Sequence, residues 1–259
     1  MAFADLDGIQ IRYELDGGTG RPVLVLSNSL GSNLAMWQPQ IAALASHFRV
    51  LRYDSRGHGK SSVPDGPYAI AELGRDVLGL LDGLGIEKAS FCGISMGGVT
   101  GQWLAVNAPD RLEKLVLADT AAKIGTAETW NARIAIVQQD GLRTIIPETL
   151  ERWFTAGFRE TQPAIVADIE AMLWATDPRG YASCCAAIRD ADFRMNLPEI
   201  VTPTLVISSA GDQVTPPDDG RFLAEGIAGA RYVELAAAHL SSVEAAAGFN
   251  GALLVFLVG

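Results

Sequence analysis

The chain has 259 residues, 49% apolar and 19% charged, which is enough apolar material for one large folded domain and argues against disorder. The net charge of -10 argues against nucleic acid or an anionic membrane surface as a partner, because both repel an acidic protein. Three cysteines without a framework spacing predict reduced, buried thiols in a cytoplasmic protein, and neither a signal peptide nor a membrane-spanning run is expected.

In chain order, the sequence first predicts an antiparallel hairpin, because strand-like runs at 3–6 and 9–15 are separated by Asp7-Gly8. Six further apolar runs predict strands, most of them buried on both faces, at 23–27, 49–53, 89–92, 114–118, 204–208 and 232–235. Helical patterns lie between them at 36–46, 70–84, 96–107 and 217–226. This alternation predicts the α/β class, with a mostly parallel eight-stranded sheet flanked by helices.

The segment 123–195 departs from this rhythm. It contains no strand-like run, and its Trp, Arg, Ala and Ile residues recur at helical spacing. Pro198 and Pro203 then lead the chain into the strand at 204–208. A connection of this length is unusual within one domain. We therefore predict a helical lid inserted between strands 6 and 7, on a core formed by residues 1–122 and 196–259.

The strongest chemical signal is the run GISMGG at 93–98, which follows a predicted strand and opens a predicted helix. This is the context of a nucleophile elbow, a tight turn that leaves no room for side chains at Gly93 and Gly97 and holds the serine hydroxyl clear of the sheet. The helix N-terminus also points backbone N–H groups at any oxyanion that forms nearby. Ser95 is therefore the predicted nucleophile.

A serine hydroxyl is a poor nucleophile without a base in hydrogen-bond reach, and three histidines are available. His47 ends an amphipathic stretch, where a solvated or helix-capping role is expected. His58 lies in a glycine-rich turn, where local hydrogen bonds are expected to hold the turn. His239 follows the last predicted strand and completes the chain order Ser, acid, His that α/β-hydrolases show. His239 is therefore the predicted general base.

Two aspartates are candidates for the acid that orients the base. Asp212 directly follows the strand at 204–208 and precedes His239, as the chain order requires. Asp119 follows the strand at 114–118 and is the rival, since some members of this fold take the acid from the preceding strand. A brace at the entrance of the lid is the other interpretation of Asp119. The order along the chain favours Asp212.

Two backbone N–H groups are expected to form the oxyanion hole. One belongs to Met96, the residue after the nucleophile, and the other to Leu30, in the loop after the strand at 23–27. Many relatives begin this loop with His-Gly, whereas this chain has Asn28-Ser29. Because the donors are backbone groups, the exchange need not impair the hole.

Several stretches together resemble the 3-oxoadipate enol-lactonases, a group of α/β-hydrolases of bacterial aromatic catabolism. The elbow and the triad indicate only the superfamily. The loop from Asn28 to Gly31, Met36-Trp37 and Phe91-Cys92 are the more specific part. The resemblance runs nearly end to end over stretches that include SNSLGSNLAMW, YDSRGHGKS, GRDVLGLLDGLGI, FCGISMGG and AAHLS.

This resemblance implies hydrolysis of 3-oxoadipate enol-lactone in the beta-ketoadipate pathway, through an acyl-enzyme on Ser95 and without a metal or an organic cofactor. The partners it implies are the small lactone and water. The lactone carries a carboxylate, so a cation is expected in the pocket; Arg133 and Trp153 are the leading candidates, with Trp130 three residues before Arg133 on one helix face. The lid also offers Lys123, Arg143, Arg152 and Trp174. The alternative is that the aromatic residues form the lid core and the arginines a solvated face.

Other functions remain open on the same residues. Within enzymes they are a general carboxylesterase, a carbon–carbon bond hydrolase and a cofactor-free haloperoxidase-like enzyme, whereas Ser95 excludes the aspartate-nucleophile chemistry of dehalogenases and epoxide hydrolases. From another class comes a receptor-like protein that binds a small ligand with little turnover, although such proteins often lack a triad member. The sequence does not indicate an oligomeric state.

Overall fold

The computed structural model describes residues 2–259, which form eight strands and eleven α-helices. The strands are β1 (Ala2–Leu6), β2 (Ile9–Asp16), β3 (Val23–Ser27), β4 (Arg49–Tyr53), β5 (Ala89–Ile94), β6 (Leu112–Ala118), β7 (Thr204–Ser209) and β8 (Arg231–Leu235). The helices are α1 (Gln38–Leu44), α2 (Ile70–Gly83), α3 (Met96–Asn107), α4 (Ala127–Asp140), α5 (Ile146–Trp153), α6 (Ala156–Thr161), α7 (Pro163–Ala175), α8 (Pro178–Asp190), α9 (Pro217–Gly226), α10 (Ser241–Glu244) and α11 (Ala246–Val258). Within residues 2–259, every helix is too short or too polar to cross a membrane.

The strands form one sheet in the order β1-β2-β4-β3-β5-β6-β7-β8. The pairs β1–β2 and β2–β4 are antiparallel, and the other pairs are parallel. All residues of β5 and β7 are buried, which agrees with the apolar runs at the centres of these strands. The predicted α/β class and the mostly parallel eight-stranded sheet are confirmed, and the carboxyl ends of the parallel strands share one edge.

The predicted hairpin joins β1 to β2. Asp7 and Gly8 have φ values of 53° and 90°, the left-handed conformation that a two-residue turn of this kind requires at both positions. The Gly8 N–H donates to Oδ1 of Asp5 at 2.8 Å, which closes the turn. The Asp-Gly pair therefore predicts this edge correctly.

The helix predicted at 36–46 is wrong at its start. The chain first makes a 3-10 turn over Leu34–Trp37, and α1 begins only at Gln38. Pro39 is the second residue of α1, a position where its missing N–H costs nothing, whereas it would interrupt a helix that began earlier. Trp37 and Met36 are buried in the turn and not on a helix face.

Residues 123–195, between β6 and β7, contain α4 to α8 and no strand. Helix α4 packs against α8. The two ends of the segment meet, because the Phe193 N–H donates to the Ala122 carbonyl at 2.8 Å and Lys123 pairs with Asp192 at 3.5 Å. The chain thus leaves the sheet and returns to it at nearly the same place.

Candidate active site

Ser95 lies between β5 and α3 in a strained turn. Its φ of 56° is in the left-handed region that residues with a side chain rarely adopt. The Ser95 N–H donates to the Ala118 carbonyl at 3.0 Å, and the Thr120 hydroxyl donates to the Ser95 carbonyl at 2.8 Å. A Cβ on Gly97 would collide with the Ser27 carbonyl, so only glycine fits there. This is the local geometry of a nucleophile elbow.

Asp212 and His239, from the loops after β7 and β8, form a buried pair in which Oδ2 of the carboxylate lies 2.8 Å from Nδ1 of the imidazole. Oδ1 accepts the N–H groups of Val214 at 2.7 Å and Thr215 at 3.0 Å, and the Thr215 hydroxyl donates to Oδ2 at 2.8 Å. Burial opposes ionisation of Asp212, but His239 and the Thr215 hydrogen bonds outweigh it and lower the pKa of the carboxyl. An ionised Asp212 at this place fixes the orientation of the ring.

Ser95 and His239 line the same cavity. Within residues 2–259 the serine hydroxyl makes no hydrogen bond to the imidazole, since the ring bonds only through Nδ1. Such bonds are often long without substrate and tighten in the complex. The sequence order thus brings the two side chains to one cavity.

Asp119, the rival acid, makes a different set of contacts. Its Oδ1 accepts the Ser209 hydroxyl at 2.8 Å, and its Oδ2 accepts the Ser241 hydroxyl at 2.5 Å, with no hydrogen bond to His239 among residues 2–259. Burial, and then the charge of Asp212, raise the pKa of Asp119 to about 7, although His239 and the two serines act against them. Asp119 therefore braces the start of α10, two residues after His239.

The N–H groups of Leu30 and Met96 have no acceptor within residues 2–259. Asn28 holds the Leu30 loop from below, because its carbonyl accepts the Gly97 N–H at 3.1 Å and its side chain donates to the Tyr53 carbonyl at 2.7 Å. The same side chain accepts the Trp37 indole N–H at 2.8 Å. Asn28 thus fixes the position of the loop, and the N–H groups of Leu30 and Met96 remain available to an oxyanion.

A cavity of about 460 Å³ connects these elements with the helical segment. Arg133, Trp130 and Trp153 line it, as predicted for the substrate pocket, and so does Arg152. The Trp153 ring lies 6.4 Å from the His239 ring. The remaining candidates lie elsewhere: Lys123 pairs with Asp192, and Arg143 and Trp174 are exposed.

Arg133 is half-buried in the cavity wall. Its Nε donates to the Tyr181 hydroxyl at 2.8 Å and its Nη2 to the Thr149 hydroxyl at 2.7 Å. Within residues 2–259 these are its hydrogen bonds, and it has no ion pair. Arg152, by contrast, lies 3.9 Å from Glu148. Because both partners are neutral hydroxyls, they do not compensate the positive charge of Arg133, which is therefore available to an anionic ligand.

Three residues of the site are missing from the predictions from sequence. Tyr181 and Thr149 hold Arg133, but they lie on different helices and no sequence spacing links them to it. Thr215 is the third residue after Asp212, where a hydroxyl that bonds back to the aspartate is a common turn signal. Among residues 2–259, no three side chains of His, Cys, Asp and Glu come together as metal ligands would.

The site combines an elbow serine, a histidine–aspartate pair after the last two strands and two available amides, all on a mostly parallel sheet. This combination defines a serine hydrolase of the α/β type. The alpha/beta hydrolase fold family matches residues 22–154. The chain belongs to this family, in the group that contains the 3-oxoadipate enol-lactonases. The 3-oxoadipate enol-lactonase 2 of Acinetobacter baylyi is 49% identical over 95% of this chain and 92% of its own length.

Solved structures give the same grouping. The enol-lactonase of Burkholderia xenovorans LB400 has a TM-score of 0.98 and 48% identity, over 100% of both chains. A malate-bound thermophilic esterase of Thermogutta terrifontis has a TM-score of 0.91 and 28% identity, over 99% of this chain and 96% of its own. The chain is therefore an ester or lactone hydrolase by family.

Proposed function

We propose that this chain hydrolyses 3-oxoadipate enol-lactone to 3-oxoadipate. The observation that carries the proposal is one cavity that holds the elbow serine, the His239–Asp212 pair and Arg133, a guanidinium without an acidic partner within residues 2–259. The likeness to enol-lactonases over nearly the whole chain supports the same substrate.

In the proposed reaction, His239 takes the proton of the Ser95 hydroxyl as the oxygen attacks the lactone carbonyl, and Asp212 stabilises the imidazolium that forms. The amides of Leu30 and Met96 hold the oxyanion of the tetrahedral intermediate. The ring oxygen leaves as an enolate, which takes the proton held by the His239 imidazolium and becomes the ketone, so that His239 is neutral again. Water activated by His239 finally releases the acyl group from Ser95. No step of this scheme uses a metal or an organic cofactor.

Arg133 is the proposed partner of the substrate carboxylate, and Trp130 and Trp153 line the same cavity. A guanidinium binds a carboxylate through two parallel hydrogen bonds. Tyr181 and Thr149 accept from Nε and from one hydrogen of Nη2 and set the plane of the group, which leaves both hydrogens of Nη1 and the second hydrogen of Nη2 for the carboxylate in the described chain. The charge of Arg133 thus selects an acidic ester or lactone over a neutral one.

We further propose that residues 123–195 act as a lid on a core of residues 1–122 and 196–259. The cavity supports this division, because α4 and α5 contribute one wall and the strand-end loops the other. A cytoplasmic location is proposed from the three cysteines, which are free and buried.

The test is hydrolysis of 3-oxoadipate enol-lactone followed by loss of its ultraviolet absorbance, at neutral pH and without added metal, by wild type, Ser95→Ala and Ser46→Ala. Ser46 is an exposed serine in the turn after α1 and serves as the matched control. Fast turnover by wild type and Ser46→Ala, with loss of turnover in Ser95→Ala, supports the substrate and the nucleophile. Turnover by Ser95→Ala at the wild-type rate would overturn the mechanism, and wild type that ignores the lactone would overturn the substrate.

A general carboxylesterase is the second candidate, favoured by the 28% identity to the Thermogutta esterase. The same three proteins are assayed with 4-nitrophenyl acetate, a neutral aryl ester. An esterase of broad range would cleave this ester with a kcat/KM at least as high as that for the lactone. A lactonase that depends on Arg133 would prefer the charged lactone by a large factor.

A further inference from the structure

The turn after β4, with the sequence DSRGHGKS at 54–61, has no part in the reaction described above. It nevertheless packs against the loop that contains Leu30. Nε2 of His58 accepts the Gly31 N–H at 2.7 Å, and Oδ1 of Asp54 accepts the Leu34 N–H at 2.8 Å. Two side chains of one turn therefore fix both ends of the stretch that follows Leu30.

The contacts of His58 determine which nitrogen carries its proton. Nδ1 lies 3.2 Å from the Arg56 carbonyl, which can only accept a hydrogen bond, so Nδ1 carries the hydrogen and Nε2 is the acceptor for Gly31. The ring is 1% exposed. Burial lowers the pKa of His58, although the Arg56 carbonyl and Asp54 act in the opposite direction. Cys184 of α8 also faces Nδ1, at 3.9 Å from its Sγ.

Gly31 is held from its other side by the helical segment. Its carbonyl accepts the Thr176 hydroxyl at 3.0 Å. Its φ is 83°, and a Cβ there would press on Leu173 and Tyr181, so the position admits only glycine. Gly31 directly follows Leu30, so the hydrogen bond to its N–H fixes the peptide unit next to the one that carries the Leu30 N–H and limits how that amide can turn.

We propose that His58 is a positioning residue for the hydrolytic reaction: by accepting the Gly31 N–H, it keeps the Leu30 amide aimed at the oxyanion. The proposal rests on the proposed function, which assigns the oxyanion to Leu30 and Met96. A donor contributes only when it is held in place before the charge develops, and loss of one oxyanion-hole donor costs about 10²–10³ in kcat. A donor that is misaligned but still present loses part of this, roughly 10-fold to 100-fold.

The variants His58→Leu and His58→Gln separate this role from packing. Leucine has a similar bulk but no acceptor, so the Gly31 N–H is left unpaired in the interior. The glutamine carboxamide offers an oxygen to the same N–H. With 4-nitrophenyl acetate, we expect kcat to fall about 10-fold to 100-fold in His58→Leu with KM within about twofold, and to recover to within about threefold of wild type in His58→Gln. His47→Leu, at an exposed histidine that precedes β4 whereas the turn follows it, is the matched control with wild-type kinetics.

Binding of butylboronic acid reports the oxyanion hole directly. The Ser95 oxygen adds to boron, His239 takes the serine proton, and the anionic tetrahedral boron places a hydroxyl where the oxyanion forms. We expect the Kd for the boronic acid to rise in His58→Leu by about the same factor as kcat falls. If His58 only packed, both variants would have a lower melting temperature. The Kd for the boronic acid would then not rise in step with the fall in kcat, and glutamine would not restore kcat.

Wild type and Ser95→Ala are included in every assay. If Ser95→Ala loses both boronic acid binding and turnover, the proposed nucleophile is upheld. If a folded His58→Leu then shows unchanged kcat and Kd, only the role of His58 is overturned. Should His58→Leu fail to fold, ¹⁵N NMR of the wild-type histidine rings decides the question. An unprotonated Nε2 and a protonated Nδ1 on His58 support the proposal, and a protonated Nε2 at neutral pH refutes it.

Discussion

Replacement of Asp119 by asparagine tests the buried charge next to the His239–Asp212 pair. The carboxyl of Asp119 is 1% exposed and accepts hydrogen bonds from Ser209 and Ser241. Asparagine has nearly the same shape and can hydrogen-bond to both serines, but it does not ionise. Any difference between the two proteins that changes with pH therefore measures the ionisation of Asp119.

The sign follows from the pKa of the carboxyl in each state. Burial and Asp212 raise it from 3.8 to about 7 in the folded protein, so the folded state binds the proton more tightly than the unfolded chain does. The resulting stability is fully present below pH 4 and is lost as the pH rises through about 7. A shift of about three pH units corresponds to about 4 kcal/mol, at about 1.4 kcal/mol per unit.

We therefore expect the free energy of unfolding of Asp119→Asn, relative to wild type, to rise by up to about 4 kcal/mol between pH 4 and pH 8. Urea unfolding at several pH values, followed by tryptophan fluorescence, measures this difference. Ser209→Ala provides the opposite control, because loss of a hydroxyl that lowers the pKa of Asp119 extends the decline in stability to higher pH. A difference between Asp119→Asn and wild type that is constant across this range would refute the assigned ionisation.

Three other changes have defined outcomes. Arg133→Gln is expected to raise KM for the enol-lactone about 10-fold to 100-fold, because a charged hydrogen bond to the carboxylate is lost. KM for 4-nitrophenyl acetate is expected to stay unchanged. Equal effects on both substrates would contradict the carboxylate role. Asp212→Asn is expected to lower kcat about 10³–10⁴-fold in steady-state kinetics, and a loss below tenfold would point to Asp119 as the acid. Gly97→Ala is expected to destabilise the fold by about 2–4 kcal/mol in thermal melts, whereas Gly251→Ala, with open space at its helix surface, is expected to be neutral or stabilising by up to about 1 kcal/mol.

Local rules account for most of the sheet and for the order of the site residues. Apolar runs predict the central strands, because strands covered on both faces need apolar side chains throughout. The glycines around Ser95 predict the strained turn, since its geometry follows from steric exclusion between nearby backbone groups. Chain order singles out Asp212, and the pair at 2.8 Å agrees with it.

The contacts that tune the site lie beyond such rules. His58 is in a turn where the sequence predicts only local hydrogen bonds, yet its Nε2 bonds to Gly31, which is 27 residues away. Arg133 is oriented by Tyr181, which is 48 residues away, on a different helix. Neither partner leaves a periodic or spacing signal, because both contacts arise only when separate elements pack together.

The hydrogen bond between Phe193 and Ala122 closes the helical segment at its base. A segment whose ends already touch adds no strain to the strands it interrupts, whatever its length, and its removal leaves a gap that a short link can span. The strand-end loops carry Ser95 and the His239–Asp212 pair, while the segment carries Arg133, the proposed partner of the substrate carboxylate. With the proposed division, we expect that transplanting residues 123–195 between relatives changes substrate preference and leaves the reacting groups in place.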